Sequence, residues 1–178
     1  MIGFADFEAF LKASFPDMTD GMVERFRLMD AGYRDWNAKI NVISRKDIDS
    51  LYDHHVLHSL AIAEYLRTQR PEVYSMFTAP LQEGSVAPVS SSTNVNASRA
   101  GLRVLDLGTG GGFPGIPLAV MFPNVRFTLC DSVGKKTIVA REIANMLGLD
   151  NVEIVNARAE SLPGRFDFVV SRAVAPQI

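Results

Sequence analysis

The sequence contains little cysteine, no long apolar run and no excess of positive charge. Cys130 is the single cysteine among 178 residues, which excludes an internal disulfide framework and a cysteine zinc cluster. No apolar run approaches the roughly 20 residues that span a bilayer. The first ten residues, MIGFADFEAF, hold two acidic and no basic side chains, which is not typical of a secretory signal. We therefore expect a cytoplasmic protein with no membrane partner.

The formal net charge of −2 provides no global positive field. If the partner is a nucleic acid, it must therefore contact a local basic patch. The composition is 47% hydrophobic, which suits one domain with a sizeable core and a small appendage.

The N-terminal part of the chain is predicted to be helical. One helical face is formed by apolar residues three or four positions apart, namely Met22, Phe26, Met29, Tyr33, Trp36 and Ile40. Thr19 or Asp20 is expected to cap this helix. A second helix is predicted from about Asp47 to Leu66, with Ile48, Leu51, Leu57 and Leu60 facing inward. Residues 1–69 are interpreted as a helical extension.

Composition and periodicity change twice after this extension. Residues 70–101 include SVAPVSSSTNVNASRAG, which lacks periodicity and predicts a flexible loop or linker. Residues 102–178 then alternate predicted strands (LRVLDL, RFTLCD, VEIVNA, FDFVVS) with helices. This alternation predicts an α/β domain with a parallel, Rossmann-like sheet and right-handed crossovers.

The segment VLDLGTGGGFPGIPLAV holds five glycines within eight residues, directly after the first predicted strand. No Gly-Lys-Ser/Thr follows, which excludes a P-loop. The dinucleotide pattern Gly-x-Gly-x-x-Gly fits only when it begins at Gly110 and continues through Gly112 and Gly115. That pattern is weak, and it leaves a dinucleotide and S-adenosylmethionine as alternatives.

Two acidic residues favour S-adenosylmethionine over NAD. Asp106 stands two positions before Gly108, where a carboxylate would repel a pyrophosphate and attract the ammonium and sulfonium groups of S-adenosylmethionine. Asp131 ends the second predicted strand, where an acid commonly accepts from ribose hydroxyls. The alternatives are that Asp131 caps the next helix and that Asp106 is only a turn residue.

The segments VLDLGTGGGFPGIPLA, FTLCDSVGKK, VNARAESLP and FDFVVSRAVA together resemble the RsmG (GidB) family of small-subunit ribosomal RNA methyltransferases. Upstream, WNAKINVIS and HHVLHSL are similar to two further stretches of that family. The resemblance implies a class I methyltransferase fold with an N-terminal helical extension. It also implies methyl transfer from S-adenosylmethionine to N7 of a guanine in 16S ribosomal RNA. Because the overall charge is negative, we expect this RNA to be methylated within a small-subunit particle.

The resemblance also implies site residues. Gly108 and Phe113 are expected to contact the cofactor in the glycine loop, and Asp131 takes the ribose position. Ala159 and Glu160 would flank the adenine. The remaining expected positions are Gly110 in the loop, Arg172 as a cofactor-binding and positioning residue, and Lys135, Lys136 and Arg158 as RNA contacts.

The chain departs from the family in three ways. His58 replaces a usual aspartate, the 70–101 connection is unusually long, and only four strands are predicted. Those four correspond to the 3-2-1-4 half of the sheet, so we expect the C-terminal half to be missing. Two alternative functions therefore stay open: a cofactor-binding module without turnover, and a small-molecule methyltransferase.

Three other side-chain patterns bear on function. His54, His55 and His58 have helical spacing, but the spacing matches no metal motif, so no metal is expected. Cys130 lies within a predicted strand and is interpreted as buried rather than nucleophilic. Guanine N7 carries a free lone pair, so no general base is expected. Lys135, Lys136 and Arg141 form either a solvated helix face or a set of phosphate contacts.

Overall fold

The computed structural model of the protein describes residues 2–81 and 101–172. The helical part comprises α1 (Phe4–Ser14), α2 (Asp20–Lys39), a 3₁₀ turn (Ile48–Ser50), a π-helical segment (Leu51–Leu57), α3 (His58–Gln69) and α4 (Pro71–Thr78). The sheet part comprises β1 (Arg103–Leu107), α5 (Gly115–Met121), β2 (Arg126–Asp131), α6 (Gly134–Met146), β3 (Val152–Asn156), a 3₁₀ turn (Ala159–Ser161) and β4 (Phe168–Ser171). None of the helices in these two ranges has the length and apolar character of a membrane-spanning segment.

Four parallel strands form one sheet in the order β3-β2-β1-β4. The predicted α/β class and strand order are therefore confirmed. Val104 and Leu105 of β1, which alternate between the two faces of the sheet, are both buried. Within the described residues β4 forms one edge of the sheet, and its Val169 side chain is 59% exposed.

Helix α2 begins and packs as the sequence predicts. The Thr19 hydroxyl accepts a hydrogen bond of 3.2 Å from the backbone N–H of Met22, which is an N-cap contact. Phe26, Met29 and Tyr33 are buried along the predicted apolar face. This face joins α2 to the sheet side of the molecule.

The second predicted helix, Asp47–Leu66, is wrong as a single regular helix. The structure divides it into the 3₁₀ turn, the π-helical segment and α3. Leu51 and Leu60 are buried as expected, but Leu57 is only half-buried and Val56 is buried in its place. The cause is geometric, since a π-helical turn holds more residues than an α-helical turn and shifts the inward face.

The predicted linker over residues 70–101 is wrong in its first part. Residues Pro71–Thr78 form α4. The Phe77 ring of this helix packs edge-on against Phe122, with centroids 5.1 Å apart. Val73 and Phe77, four positions apart in VYSMF, form the buried face of this helix, although the sequence that follows it is polar. Residues 82–100 lie outside the described part of the chain.

One buried apolar cluster includes residues of both the helical part and the sheet part. Its aromatic members include Phe7, Phe26, Tyr33, Phe113, Phe122 and Phe127. The helices therefore pack directly on the sheet domain, and the predicted division into 1–69 and 102–178 stays a prediction.

Candidate functional site

The carboxyl ends of the four strands bring most of the predicted site residues to one edge of the sheet. Leu107 of β1 pairs with Cys130 of β2 and with Ser171 of β4, so the three strands end at the same level. Gly108, Asp131 and Arg172 each follow directly at this level. In open parallel sheets ligands bind outside this edge, near the point where the strand order reverses.

The glycine loop after β1 is anchored to β2 through its backbone. The N–H groups of Gly108 and Thr109 both donate to the carbonyl oxygen of Cys130, at 2.8 and 3.0 Å. Gly110 has φ +60°, and a Cβ atom built on it would meet nothing within 4 Å. The loop is therefore open at Gly110, where its backbone is accessible to a ligand.

Asp106 lies beneath this loop and is fully buried. Its Oδ2 accepts hydrogen bonds from the Thr109 hydroxyl at 2.6 Å and from the Gly115 N–H at 2.8 Å. Its Oδ1 is buried and has no hydrogen-bond partner among the described residues. Burial raises the pKa of Asp106 to about 6, against the lowering effect of these hydrogen bonds and of Arg172. The carboxylate therefore braces the loop from inside and does not lie on its outer surface.

Gly115 permits this brace. A Cβ atom at Gly115 would lie 2.6 Å from Oδ2 of Asp106 and 2.7 Å from Cγ of Leu129. The third glycine of the weak Gly-x-Gly-x-x-Gly pattern is thus required for close packing of α5 on the sheet. That role is independent of which ligand the loop holds.

Asp131 holds the loop from the other side. Its Oδ2 accepts from the Gly110 N–H at 2.8 Å and its Oδ1 accepts from the Val133 N–H at 2.8 Å. Asp131 is not the N-cap of α6, because Val133 occupies that position. Each carboxylate oxygen can accept a further hydrogen bond, so the ribose contact stays a prediction.

The helical part contacts the loop through residues that the sequence analysis assigned only to the core or to a family motif. The Tyr33 hydroxyl donates to the carbonyl oxygen of Gly111 at 2.9 Å. A Cβ atom on Gly111 would lie 2.9 Å from Cγ2 of Val42. Val42 is held there because Oδ1 of Asn37 accepts from the N–H groups of Val42 and Ile43, both at 2.9 Å. The sequence signal for this contact was the resemblance of WNAKINVIS, which contains Asn37 and Val42, to a stretch of the family.

Phe113 does not present its ring to the open side of the loop. The side chain is 4% exposed and stacks on Tyr33, with centroids 4.7 Å apart and planes at 28°. The His55 ring lies against the same phenyl group at 5.2 Å. The Phe113 ring therefore faces the helices, and the expected contact of Phe113 with the cofactor stays a prediction.

Arg172 crosses from the end of β4 to the π-helical segment. Its Nη1 donates to the carbonyl oxygen of His54 at 3.1 Å, and its Nη2 lies 3.0 Å from Nδ1 of His55. Its Cζ lies 5.3 Å from the centroid of Phe113. Burial lowers the pKa of Arg172, while Asp106 acts to raise it. Among residues 2–81 and 101–172, Arg172 forms no ion pair with a carboxylate.

The remaining predicted positions also follow strand ends. Ala159 and Glu160 lie in the 3₁₀ turn after β3, and Arg158 precedes this turn and is exposed. Lys135 and Lys136 lie in the first turn of α6. The structure thus places all five beyond the carboxyl ends of β2 and β3.

Cys130 and the histidines have local partners. Cys130 is 1% exposed, its thiol donates to the carbonyl oxygen of Ala157 at 3.2 Å, and burial raises its pKa. His54 Nδ1 lies 3.2 Å from Asp47, whereas His55 faces Arg172. In the part of the chain that the structure describes, no group of three or more His, Cys, Asp or Glu residues is arranged to hold a metal ion.

Comparison with known proteins gives matches over most of the chain. A family model described as GidB, rRNA small subunit methyltransferase G, matches residues 85–178. A ribosomal RNA small subunit methyltransferase G of Bacteroides fragilis is 50% identical over 162 residues, which cover 91% of this chain and 64% of that protein. A protein of the same name from Porphyromonas gingivalis is 49% identical over 160 residues, covering 90% and 59%. The chain spans about three fifths of the length of these curated relatives.

A solved structure, described as a SAM dependent methyltransferase from Aquifex aeolicus, is 31% identical to the matched part of the chain. The match covers 39% of each chain and has a TM-score of 0.36.

Proposed function

Since the chain belongs to the GidB family, the rRNA small subunit methyltransferase G proteins, we propose that it methylates ribosomal RNA with S-adenosylmethionine as the donor. The acceptor is N7 of a guanine in 16S ribosomal RNA, within a small-subunit particle. The observation that carries the proposal is the glycine loop after β1, which is held between Asp106 and Asp131 next to Arg172.

The loop fits a cationic ligand better than a pyrophosphate. Its backbone is open at Gly110, where an added Cβ would meet nothing within 4 Å. Below the loop, Asp106 has an unpartnered buried oxygen, and burial raises its pKa to about 6. A cation bound at this edge would stabilise the ionised carboxylate, whereas a pyrophosphate would be repelled by it. This electrostatic preference supports S-adenosylmethionine over NAD.

The proposed cofactor contacts follow from the same edge of the sheet. Gly108 and Gly110 allow close approach of the ligand to the loop backbone. Asp131, already bonded to the Gly110 N–H, would accept from the ribose hydroxyls. Ala159 and Glu160, in the turn after β3, would flank the adenine.

The proposed reaction requires orientation rather than proton transfer. S-adenosylmethionine supplies a methyl group made electrophilic by its sulfonium, and guanine N7 already has a free lone pair. The chain's own residues therefore need only hold the base in line, an effect that can contribute about 7–11 kcal/mol. Consistent with this, the carboxylates of Asp106 and Asp131 are both engaged with the loop backbone.

Basic side chains at the same edge are proposed to contact RNA phosphates. Lys135 and Lys136 begin α6, and Arg158 follows β3. Such contacts position an RNA without reading its sequence. Because the net charge is −2, only a local basic patch can attract RNA. A folded particle offers further points of attachment, so we propose a particle and not naked RNA as the substrate.

A methylation assay tests the proposal. The chain is incubated with radiolabelled S-adenosylmethionine and either naked 16S RNA or small subunits, and the methylated base is identified by mass spectrometry. We expect 7-methylguanine in one position, a strong loss of label with Arg172→Ala, and no loss with Arg165→Ala, an exposed arginine before β4. Label in a different base, or only in small molecules, would exclude the proposed substrate.

A further inference from the structure

We infer that His55 is the positioning residue for Arg172, and that the helical part of the protein thereby takes part in the site. This inference rests on the proposed function, because Arg172 is the residue proposed to hold the reacting groups. It extends that function, because the resemblance implies for His55 only a hydrogen bond across the junction between the helices and the sheet, and the strand-end pattern assigns it no role in the site.

The contact defines the tautomer of His55. A guanidinium donates hydrogen bonds and cannot accept them. Nδ1 of His55, 3.0 Å from Nη2 of Arg172, must therefore be the unprotonated acceptor. The proton of the neutral ring then lies on Nε2, which is buried and without a hydrogen-bond partner in the described residues.

The groups around His55 keep it neutral. Burial lowers its pKa to about 4, and the charge of Arg172 acts in the same direction. His54 and His58 also lower this pKa, while Asp47 opposes them. At neutral pH the imidazole is therefore a permanent acceptor for the guanidinium.

A neutral acceptor orients Arg172 without neutralising it. An aspartate or glutamate in the same place would form an ion pair and remove most of the field that the guanidinium exerts on a ligand. With the His54 carbonyl and the His55 ring as acceptors, two of the five N–H donors are used, and no ion pair within the described residues neutralises the charge. The remaining three donors are left for an anionic or carbonyl group of the substrate.

One further contact restricts the same guanidinium. Its Cζ lies 5.3 Å from the centroid of Phe113, which is itself stacked on Tyr33 and lies tilted against His55. An unrestrained arginine loses rotamer entropy when it is ordered by a ligand. Ordering by His55 and Phe113 is completed during folding, so a ligand binds to an arginine already in place.

A double-mutant cycle separates positioning from a structural role. His55→Phe keeps an aromatic ring against Phe113 but removes the acceptor, whereas His55→Asn retains an acceptor oxygen near the position of Nδ1. We expect His55→Phe to lower single-turnover methylation at least tenfold, and His55→Asn to recover most of it. In an Arg172→Ala background, His55→Phe should cause no further loss. The exposed His58, replaced by Phe, is the matched control and should be silent.

Nuclear magnetic resonance tests the pair without any methylation. Long-range ¹H–¹⁵N correlation of the chain should show His55 as the Nε2–H tautomer, still neutral at pH 5. Arg172→Ala should raise the pKa of His55 toward its ordinary value of 6.5. A His55 that titrates near its ordinary value regardless of Arg172, or additive losses in the mutant cycle, would overturn the inference. Absence of methylation by the wild-type chain, with the expected spectrum, would count against the proposed function alone.

Discussion

The hydroxyl of Tyr33 donates a hydrogen bond of 2.9 Å to the carbonyl oxygen of Gly111, joining helix α2 to the glycine loop across 78 residues of sequence. Burial raises the pKa of Tyr33 well above its ordinary value, so the hydroxyl keeps its proton and remains a donor. The ring of Tyr33 stacks on Phe113 of the same loop. The helical part thus holds the shape of the loop as well as covering the sheet.

This contact predicts a specific effect of Tyr33→Phe. Loss of a buried hydrogen bond costs about 1 kcal/mol, and the same loss follows from Tyr52→Phe, whose hydroxyl donates to the Phe26 carbonyl at 3.1 Å. Both variants should lose similar thermal stability. Only Tyr33→Phe should weaken S-adenosylmethionine binding. The loss should be about fivefold if the whole energy of the lost hydrogen bond appears in the binding free energy. Calorimetric titration of both variants checks this, and equal affinities would contradict a role of Tyr33 in the loop.

Gly110 and Gly148 offer a matched comparison of backbone strain and ligand contact. Their φ angles are +60° and +62°, and neither would meet an atom within 4 Å if a Cβ were added. Alanine at either position should therefore cost a similar amount, about 1 kcal/mol, in the free energy of unfolding. Gly110→Ala alone should impair cofactor binding, because only Gly110 lies at the open face of the loop. If both variants bind the cofactor as the wild type does, the ligand does not approach Gly110.

The raised pKa of Asp106 leads us to expect a pH-dependent free energy of unfolding. Its pKa is about 6 in the folded chain, above its ordinary value of 3.8, so the folded state holds this proton more tightly than the unfolded state. The stabilisation is present below pH 4 and is lost as the pH rises through 6. Relative to Asp106→Asn, the wild type should lose on the order of 3 kcal/mol of unfolding free energy between pH 4 and pH 7. Urea unfolding of both proteins across this range is the measurement, and a constant difference would show that Asp106 does not titrate as stated.

The same carboxylate predicts how cofactor binding depends on pH. A cationic ligand favours the ionised form of Asp106, so its affinity should rise as the pH passes through about 6. Binding near pH 6 should release protons, which makes the calorimetric enthalpy depend on the ionisation enthalpy of the buffer. Asp106→Asn should bind more weakly and show neither effect. A wild-type affinity that does not change between pH 5 and pH 8 would mean that Asp106 only braces the loop.

The strands and the glycine loop could be predicted because each depends on neighbouring residues. An apolar run such as VLDL followed by glycines indicates a buried strand and a turn wherever it occurs. Parallel topology then brings Asp131 and Arg172 to one edge of the sheet, as the structure confirms. The same local rules placed Thr19 correctly at the start of α2.

The contacts between the helices and the loop could not be predicted in this way. Tyr33 has the spacing of a core residue and is indeed buried, but periodicity does not show that its hydroxyl reaches Gly111. His55 lies in a π-helical segment, so the 3.6-residue period gives the wrong face there. The Phe113 ring is turned toward the helices by packing, and its contact with the cofactor stays a prediction. In each case the direction of the side chain depends on distant parts of the chain.

Isothermal titration of the chain with S-adenosylmethionine and with NAD shows directly whether the glycine loop binds S-adenosylmethionine. We predict binding of S-adenosylmethionine to the wild type and a loss of at least about tenfold, or 1.4 kcal/mol, in Gly108→Val and in Asp106→Ala. Gly108 has φ +72°, a conformation that valine rarely adopts. Tighter binding of NAD than of S-adenosylmethionine, or unchanged affinity in both variants, would contradict the account.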